Sequence, residues 1–201
     1  MARGLSTPGS VETLATYPFL PRIVTPRLIL RPWTLDDLSG LLDMDTDPEV
    51  MRYIGDGSMA TPDQVEATLQ RFLEPPPRPG LGLIPVEERA TGQFLGWAGL
   101  SRPRFLPAIM PAVEAGWRLR RSAWGRGIAT EAARAAISAL LPELDLTEEG
   151  GEIVSIRHPD NTASERVMIK LGFTRSHEDV VPQTQQTVIV HRAALDQLVL
   201  T

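Results

Sequence analysis

The chain has 201 residues, an apolar share of 42% and a formal charge of −5, which suits one globular domain of ordinary size. It has no cysteine, which excludes disulfides, thiolate zinc sites and a cysteine nucleophile, and its acidic balance argues against a nucleic-acid partner. No apolar run is long enough to span a bilayer and the first ten residues lack the apolar core of a signal peptide, so no membrane association and a cytoplasmic location are expected.

Residues 1–21 are rich in Pro, Gly, Ser and Thr without periodicity and read as a flexible arm, with one domain expected over 22–201. Leu28-Ile-Leu-Arg31 is a β-prone run and predicts the first strand. Thr34 precedes Leu35, Leu38, Leu41 and Leu42 at helical spacing, with Asp36 and Asp37 in the first turn. A second helix starts at Thr61-Pro-Asp63, with Val65, Leu69, Phe72 and Leu73 as its apolar stripe, and the proline-rich run at 75–80 ends it. Strands are predicted over 81–86 and 93–100, joined through Thr91-Gly92, and over 113–119. An alanine-rich helix over 128–141 is stopped by Pro142; a strand at 153–156, a helix at 162–171 ended by Gly172, and a last strand at 187–190 complete the chain. This order implies a layered α/β domain with a mixed sheet.

Three segments carry chemistry. In Arg120-Arg-Ser-Ala-Trp-Gly-Arg-Gly-Ile-Ala-Thr-Glu131 a strand feeds a turn that opens a helix. Gly125 and Gly127 permit close backbone approach to a ligand, the N–H groups at the helix start suit a phosphate-type anion, and Arg126 could add a charge-assisted bond. The alternative is a tight turn that merely needs glycine. The run lacks the third glycine of a dinucleotide fingerprint and the Lys-Ser/Thr of a P-loop. Gly116, inside the strand, marks either a bend that turns backbone groups outward to an extended ligand or room for a neighbouring tryptophan. Asn161 is placed to cap the last helix, and Ser164 falls one turn inside it, where a hydroxyl has little structural purpose. His158, His177 and His191 have no ligand spacing, so no metal site is expected.

Together these segments resemble the GNAT acetyltransferase superfamily, especially its RimJ/RimL branch of ribosomal-protein N-terminal acetyltransferases. The likeness runs from Thr25-Pro-Arg-Leu-Ile-Leu-Arg-Pro-Trp33 through Asp47-Pro-Glu-Val-Met51 and Thr91-Gly-Gln-Phe-Leu-Gly-Trp97 to Gly172-Phe173. It implies a three-layer α/β/α domain around a bent, mixed, mostly antiparallel sheet. It also implies an acetyl-CoA-dependent N-acetyltransferase that acts on a primary amine, either a protein N-terminal α-amine or a small amine, with a homodimer as the assembly. The family's pyrophosphate pattern falls on 124–129, with Gly127 and Ala129 at its small positions and Trp124 in place of Gln or Arg. The resemblance thus assigns Trp124, Gly125, Arg126, Gly127, Ile128, Ala129 and Thr130 to the cofactor's phosphates. Trp117, Arg118 and Leu119 match the strand whose backbone pairs with the pantetheine arm, and Asn161 matches an asparagine that contacts the same arm. Met168 stands where many members carry a tyrosine acid, Ser164 inherits the acid's role through its match to this branch's Asn-x-x-Ser pattern, and Glu114 stands where several members carry a catalytic glutamate; a surface-facing glutamate is the alternative. A non-catalytic acyl-CoA-binding domain is the competing class. The acceptor would be set by the two early helices, the 105–110 loop and the tail from His177.

Overall fold

The computed structural model describes residues 20–144, 146 and 152–200, so nearly all of the expected arm lies outside the described residues. Eight strands, β1 (Ile23–Val24), β2 (Leu28–Leu30), β3 (Gly82–Glu88), β4 (Phe94–Ser101), β5 (Val113–Leu119), β6 (Glu152–Arg157), β7 (Thr174–Val180) and β8 (Thr187–Ala194), form one sheet. Their order is β1-β2-β3-β4-β5-β6-β8-β7, and every pairing is antiparallel except β5 with β6. The helices are α1 (Leu38–Asp45), α2 (Pro48–Met51), α3 (Pro62–Leu73), α4 (Ile128–Leu140) and α5 (Thr162–Lys170).

Helix α4 lies on one face because its alanines let it approach the sheet closely. Ile128, Ala132, Ala133, Ala136, Ile137 and Leu140 are buried in one core with Val113, Ala115 and Leu119 of β5. Full burial of each large aliphatic side chain contributes about 1.5–3 kcal/mol. The opposite face is covered by α1 and α3, where Trp33 stacks on Phe72 with ring centroids 4.7 Å apart and Leu41, Val65 and Leu69 fill the interior. Helix α3 starts where the sequence places it. Thr61 accepts the Gln64 N–H at 3.3 Å, Gln64 returns a bond from the Thr61 N–H at 2.8 Å, and Pro62 occupies the first turn. The layered α/β/α architecture with a mostly antiparallel sheet is therefore the one expected.

Three elements were not predicted. Strand β1 is two residues long. Strand β7 reads Thr-Arg-Ser-His-Glu-Asp-Val, mostly exposed at the sheet edge, where charge protects its unpaired outer side and erases the apolar alternation that would announce it. Helix α2 is a single turn, started by Pro48 and capped by Asp47, which accepts the Glu49 N–H at 2.9 Å.

The feature that positions the site is a fork. Strands β5 and β6 pair only at Val113–Ile153 and Glu114–Val154 and then diverge. Strand β5 continues to pair with β4 through Leu119–Gly96, so from Ala115 onward it has a partner on one side alone. The Ser155 hydroxyl donates to the Ala115 carbonyl at 2.8 Å and satisfies the first acceptor released by the divergence.

Candidate active site

The open edge of β5 forms one wall of a cleft of about 540 Å³, which continues past the turn at 123–127 onto the start of α4. The opposite wall is α5, through Asn161, Ala163, Ser164, Arg166, Val167 and Lys170; residues of α2 and the segment after it, Glu49, Val50, Arg52, Tyr53 and Ile54, close one side. Of the residues singled out in the sequence, Trp117, Arg118, Leu119, Trp124, Gly125, Gly127, Ile128, Ala129, Thr130, Asn161 and Ser164 all line this cleft. Arg126 and Glu114 are not among its lining residues.

The glycines of the turn are required by conformation. Gly125 and Gly127 have φ of 71° and 76°, in the left-handed region, and an added Cβ at either would meet no heavy atom closer than 3.6 Å. The space beside Gly125 is open, whereas the Cβ position of Gly127 faces the Arg27 guanidinium at ordinary contact distance. The N–H groups of Ile128, Ala129 and Thr130 begin α4 without an acceptor within the helix, and the helix dipole adds positive potential there. The Trp124 indole donates to the Leu119 carbonyl at 2.8 Å and ties the turn to the end of β5, while 46% of the residue stays exposed. The Arg126 guanidinium turns away and pairs with Glu88 at 2.6 Å, so it does not face the cleft.

Gly116 differs from expectation in its mechanism. The β4–β5 register runs without a shift through Gly99–Gly116, so no bend is centred there, and the outward backbone comes from the departure of β6. A Cβ at Gly116 would stand 3.7 Å from Trp97, an ordinary contact, so the tryptophan does not require glycine either.

Asn161 caps α5: its side-chain oxygen accepts the Ser164 N–H at 3.0 Å, which leaves its NH₂ available to the cleft. Ser164 thus sits in the first turn, on the wall facing β5. Glu114, at the fork, is opposite Ser101 on β4 and half-buried; burial alone pushes its carboxyl up to about 8.

Sequence reasoning missed the charges behind these walls. Arg118 donates to Asp45 at 2.9 Å, a buried carboxylate at the end of α1, and lies over the Trp97 ring at 5.3 Å. Arg120 reaches Asp43 at 3.4 Å and Arg121 reaches Asp47 at 3.2 Å, so the end of β5 and the turn are strapped to α1 and α2. Behind α5, buried Arg157 bonds the His158 and Pro159 carbonyls and pairs with Glu165 at 2.6 Å, fixing the turn that carries Asn161. The buried His191 lies 3.7 Å from Glu165, and burial holds its imidazole below the ordinary value. The alternating Asp43, Asp45 and Asp47 are visible in the sequence, but nothing local announces their partners more than 70 residues away.

Residues 27–174 match the family model for an acetyltransferase (GNAT) domain. The chain is 31% identical over 163 residues to an FsC-acetyl coenzyme A-N(2)-transacetylase of Aspergillus fumigatus, covering 77% of this chain and 65% of that protein, just under two thirds of its length. Among solved structures, a GNAT-family acetyltransferase from Bacillus anthracis superposes with a TM-score of 0.67 at 20% identity, covering 87% of this chain and 98% of that one. A spermidine N-acetyltransferase from Vibrio cholerae, solved with CoA and spermine, also gives 0.67, at 16% identity over 86% and 98% of the two chains. At these identities the structural likeness is one of fold.

Proposed function

The chain belongs to the GNAT family of acetyl-CoA-dependent N-acetyltransferases, and from that premise we propose that it moves the acetyl group of acetyl-CoA onto a primary amine by direct attack. The observation that carries the reading is the fork: an unpaired strand edge leads from Ala115 to a glycine turn and a helix N-terminus, as an extended donor with a phosphate end requires. Backbone groups at 117–119 pair with the pantetheine arm, and the turn with the start of α4 holds the pyrophosphate through N–H groups. Because the Arg126 side chain is held by Glu88, phosphate binding rests on the backbone unless that pair opens. The Asn161 NH₂ donates to the arm.

The attacking amine must be neutral. A lysine-type amine, pKa about 10.4, is neutral in roughly one molecule in 2,500 at pH 7, whereas an α-amine, pKa about 8, is neutral in roughly one in ten. Glu114, desolvated at the fork, takes the amine proton through water at a pH near that of an α-amine. A backbone N–H on the open edge of β5 stabilises the oxyanion, a donor of this kind being worth about 3 kcal/mol. The thiolate leaves readily, its thiol pKa being about 8.5, and Ser164 or water protonates it. An α-amine acceptor, as in the RimJ/RimL branch, suits this apparatus best, and a small amine is the second acceptor class.

An amine-library screen with acetyl-CoA, read by free-thiol release, tests the proposal. Thiol release dependent on an N-terminal peptide or a small amine is expected. Tight acetyl-CoA binding without release across the library would instead mark a binding domain. The resemblance extends the reading to a homodimer, which light scattering in solution tests.

A further inference from the structure

Helix α4 carries an acid in the place where an anion is to bind. Glu131 is in its first turn, and its carboxylate would oppose phosphate at the same N-terminus that attracts it. Four donors converge on that carboxylate: the Thr25 hydroxyl at 2.6 Å, the Arg27 N–H at 3.2 Å, Arg27 Nε at 2.6 Å and Arg27 Nη2 at 2.6 Å. The third nitrogen of the same guanidinium, Nη1, donates to the Arg126 carbonyl at 2.8 Å, inside the turn. Nη2 lies 3.6 Å from where a Cβ on Gly127 would stand, so the guanidinium sits directly behind the glycine turn. The other arginines nearest the turn are engaged elsewhere, Arg126 with Glu88 and Arg121 with Asp47.

We infer that Arg27 is a positioning residue for donor binding: it neutralises Glu131 behind the glycine turn and fixes the Arg126 carbonyl inward, so that the turn offers N–H groups to phosphate without a competing negative charge. This rests on the acetyl-CoA reading of the cleft. Arg27 is 99 residues away from the turn it serves and does not line the cleft; its effect passes through Glu131 and the Arg126 peptide. A simple strap between β2 and α4 would depend on both partners equally. The neutralising role makes them unequal, because removing Glu131 also removes the charge that needs cancelling.

The test compares the full-length wild type with Arg27→Gln, Glu131→Gln and the double variant, titrated with acetyl-CoA by calorimetry, with kcat, KM and Tm recorded for each. Arg27→Gln should weaken acetyl-CoA binding and raise its KM about tenfold with kcat within about twofold. Glu131→Gln should bind acetyl-CoA at least as tightly as wild type even though its Tm falls. The double variant should recover most of the affinity lost in Arg27→Gln while remaining no more stable. Glu131→Gln as damaging to affinity as Arg27→Gln, or a double variant no tighter than Arg27→Gln, overturns the inference. Should Arg27→Gln not fold, Glu131→Gln alone decides: affinity lower by more than about threefold overturns it. A wild type that does not bind acetyl-CoA overturns the reading of the cleft as well, whereas wild-type binding with variants outside this pattern overturns this inference alone.

Discussion

Replacing Glu114 by Gln separates its cost to the fold from its use in the reaction. Burial raises its carboxyl from 4.5 to about 8, and no nearby group offsets the desolvation. Between those two pH values the folded chain holds a proton that the unfolded chain has released, so stability falls as pH rises through the window. At about 1.36 kcal/mol per pH step the full span corresponds to about 5 kcal/mol, a ceiling that water reaching a half-buried side chain reduces to about 2 kcal/mol. Glutamine carries no such penalty. The Tm of Glu114→Gln should match wild type near pH 5 and exceed it by about 4–8 °C at pH 9. Its rate should move the opposite way. If ionised Glu114 accepts the proton of an ammonium, the ratio of wild-type to variant rate is flat below about pH 8. Above that it falls about tenfold per pH step, as the amine supplies itself in neutral form. Thermal melts and steady-state profiles from pH 6 to 9.5 with one amine acceptor decide both halves. A rate defect that stays constant to pH 9.5 would refute the base role, and a Tm difference independent of pH would refute the desolvation on which it depends.

Gly127→Ala places a Cβ in ordinary contact with Arg27 Nη2 but at a left-handed φ, which costs about 1–2 kcal/mol and a Tm loss of about 2–8 °C, too little to unfold the chain. Its KM for acetyl-CoA should nevertheless rise about tenfold or more, and calorimetry showing an unchanged Kd in the folded variant would remove the turn from the donor site. Asn161→Asp keeps an acceptor for the Ser164 N–H, so Tm should correspond to within about 1 kcal/mol of wild type. Acetyl-CoA should still bind more weakly because the NH₂ is lost and a charge replaces it; unchanged affinity would make Asn161 a cap alone. Ser164→Ala should lower kcat by no more than about 10², since the thiolate leaves unaided, and a loss beyond about 10⁴ would make the hydroxyl essential.

What could be read from the sequence was whatever is encoded locally. Helix α3 is legible because Thr61, Pro62 and Gln64 act within one turn, and β5 because its seven residues alternate against a core. The glycine turn is legible because left-handed backbone selects glycine at single positions. Strand β7 is hidden because its stability comes from pairing with β8, not from a buried face of its own. The origin of the open edge was misassigned to Gly116 for a related reason: which strand departs from a sheet is decided by the neighbour, and β6 lies 40 residues further along. The service of Arg27 to the turn, and of Arg157 to Asn161, is likewise written in tertiary contacts between residues of unremarkable local pattern.

The fork has a consequence for the kind of donor that fits. Its apex is pinned by Ser155 against Ala115, and the strand ends at Leu119, so the open edge between them is set at four residues. At about 3.3 Å per residue that edge measures about 13 Å. On the proposed placement of the donor, the sheet would work as a length gauge. A thioester carried on an arm that spans this interval would present its carbonyl at the apex, whereas one on a shorter thiol would stop short of Glu114 however well its acyl group fitted. Selectivity among donors would then be read from the carrier before it is read from the acyl group. A chain in which β5 and β6 paired for two residues more would demand a carrier shorter by about 7 Å.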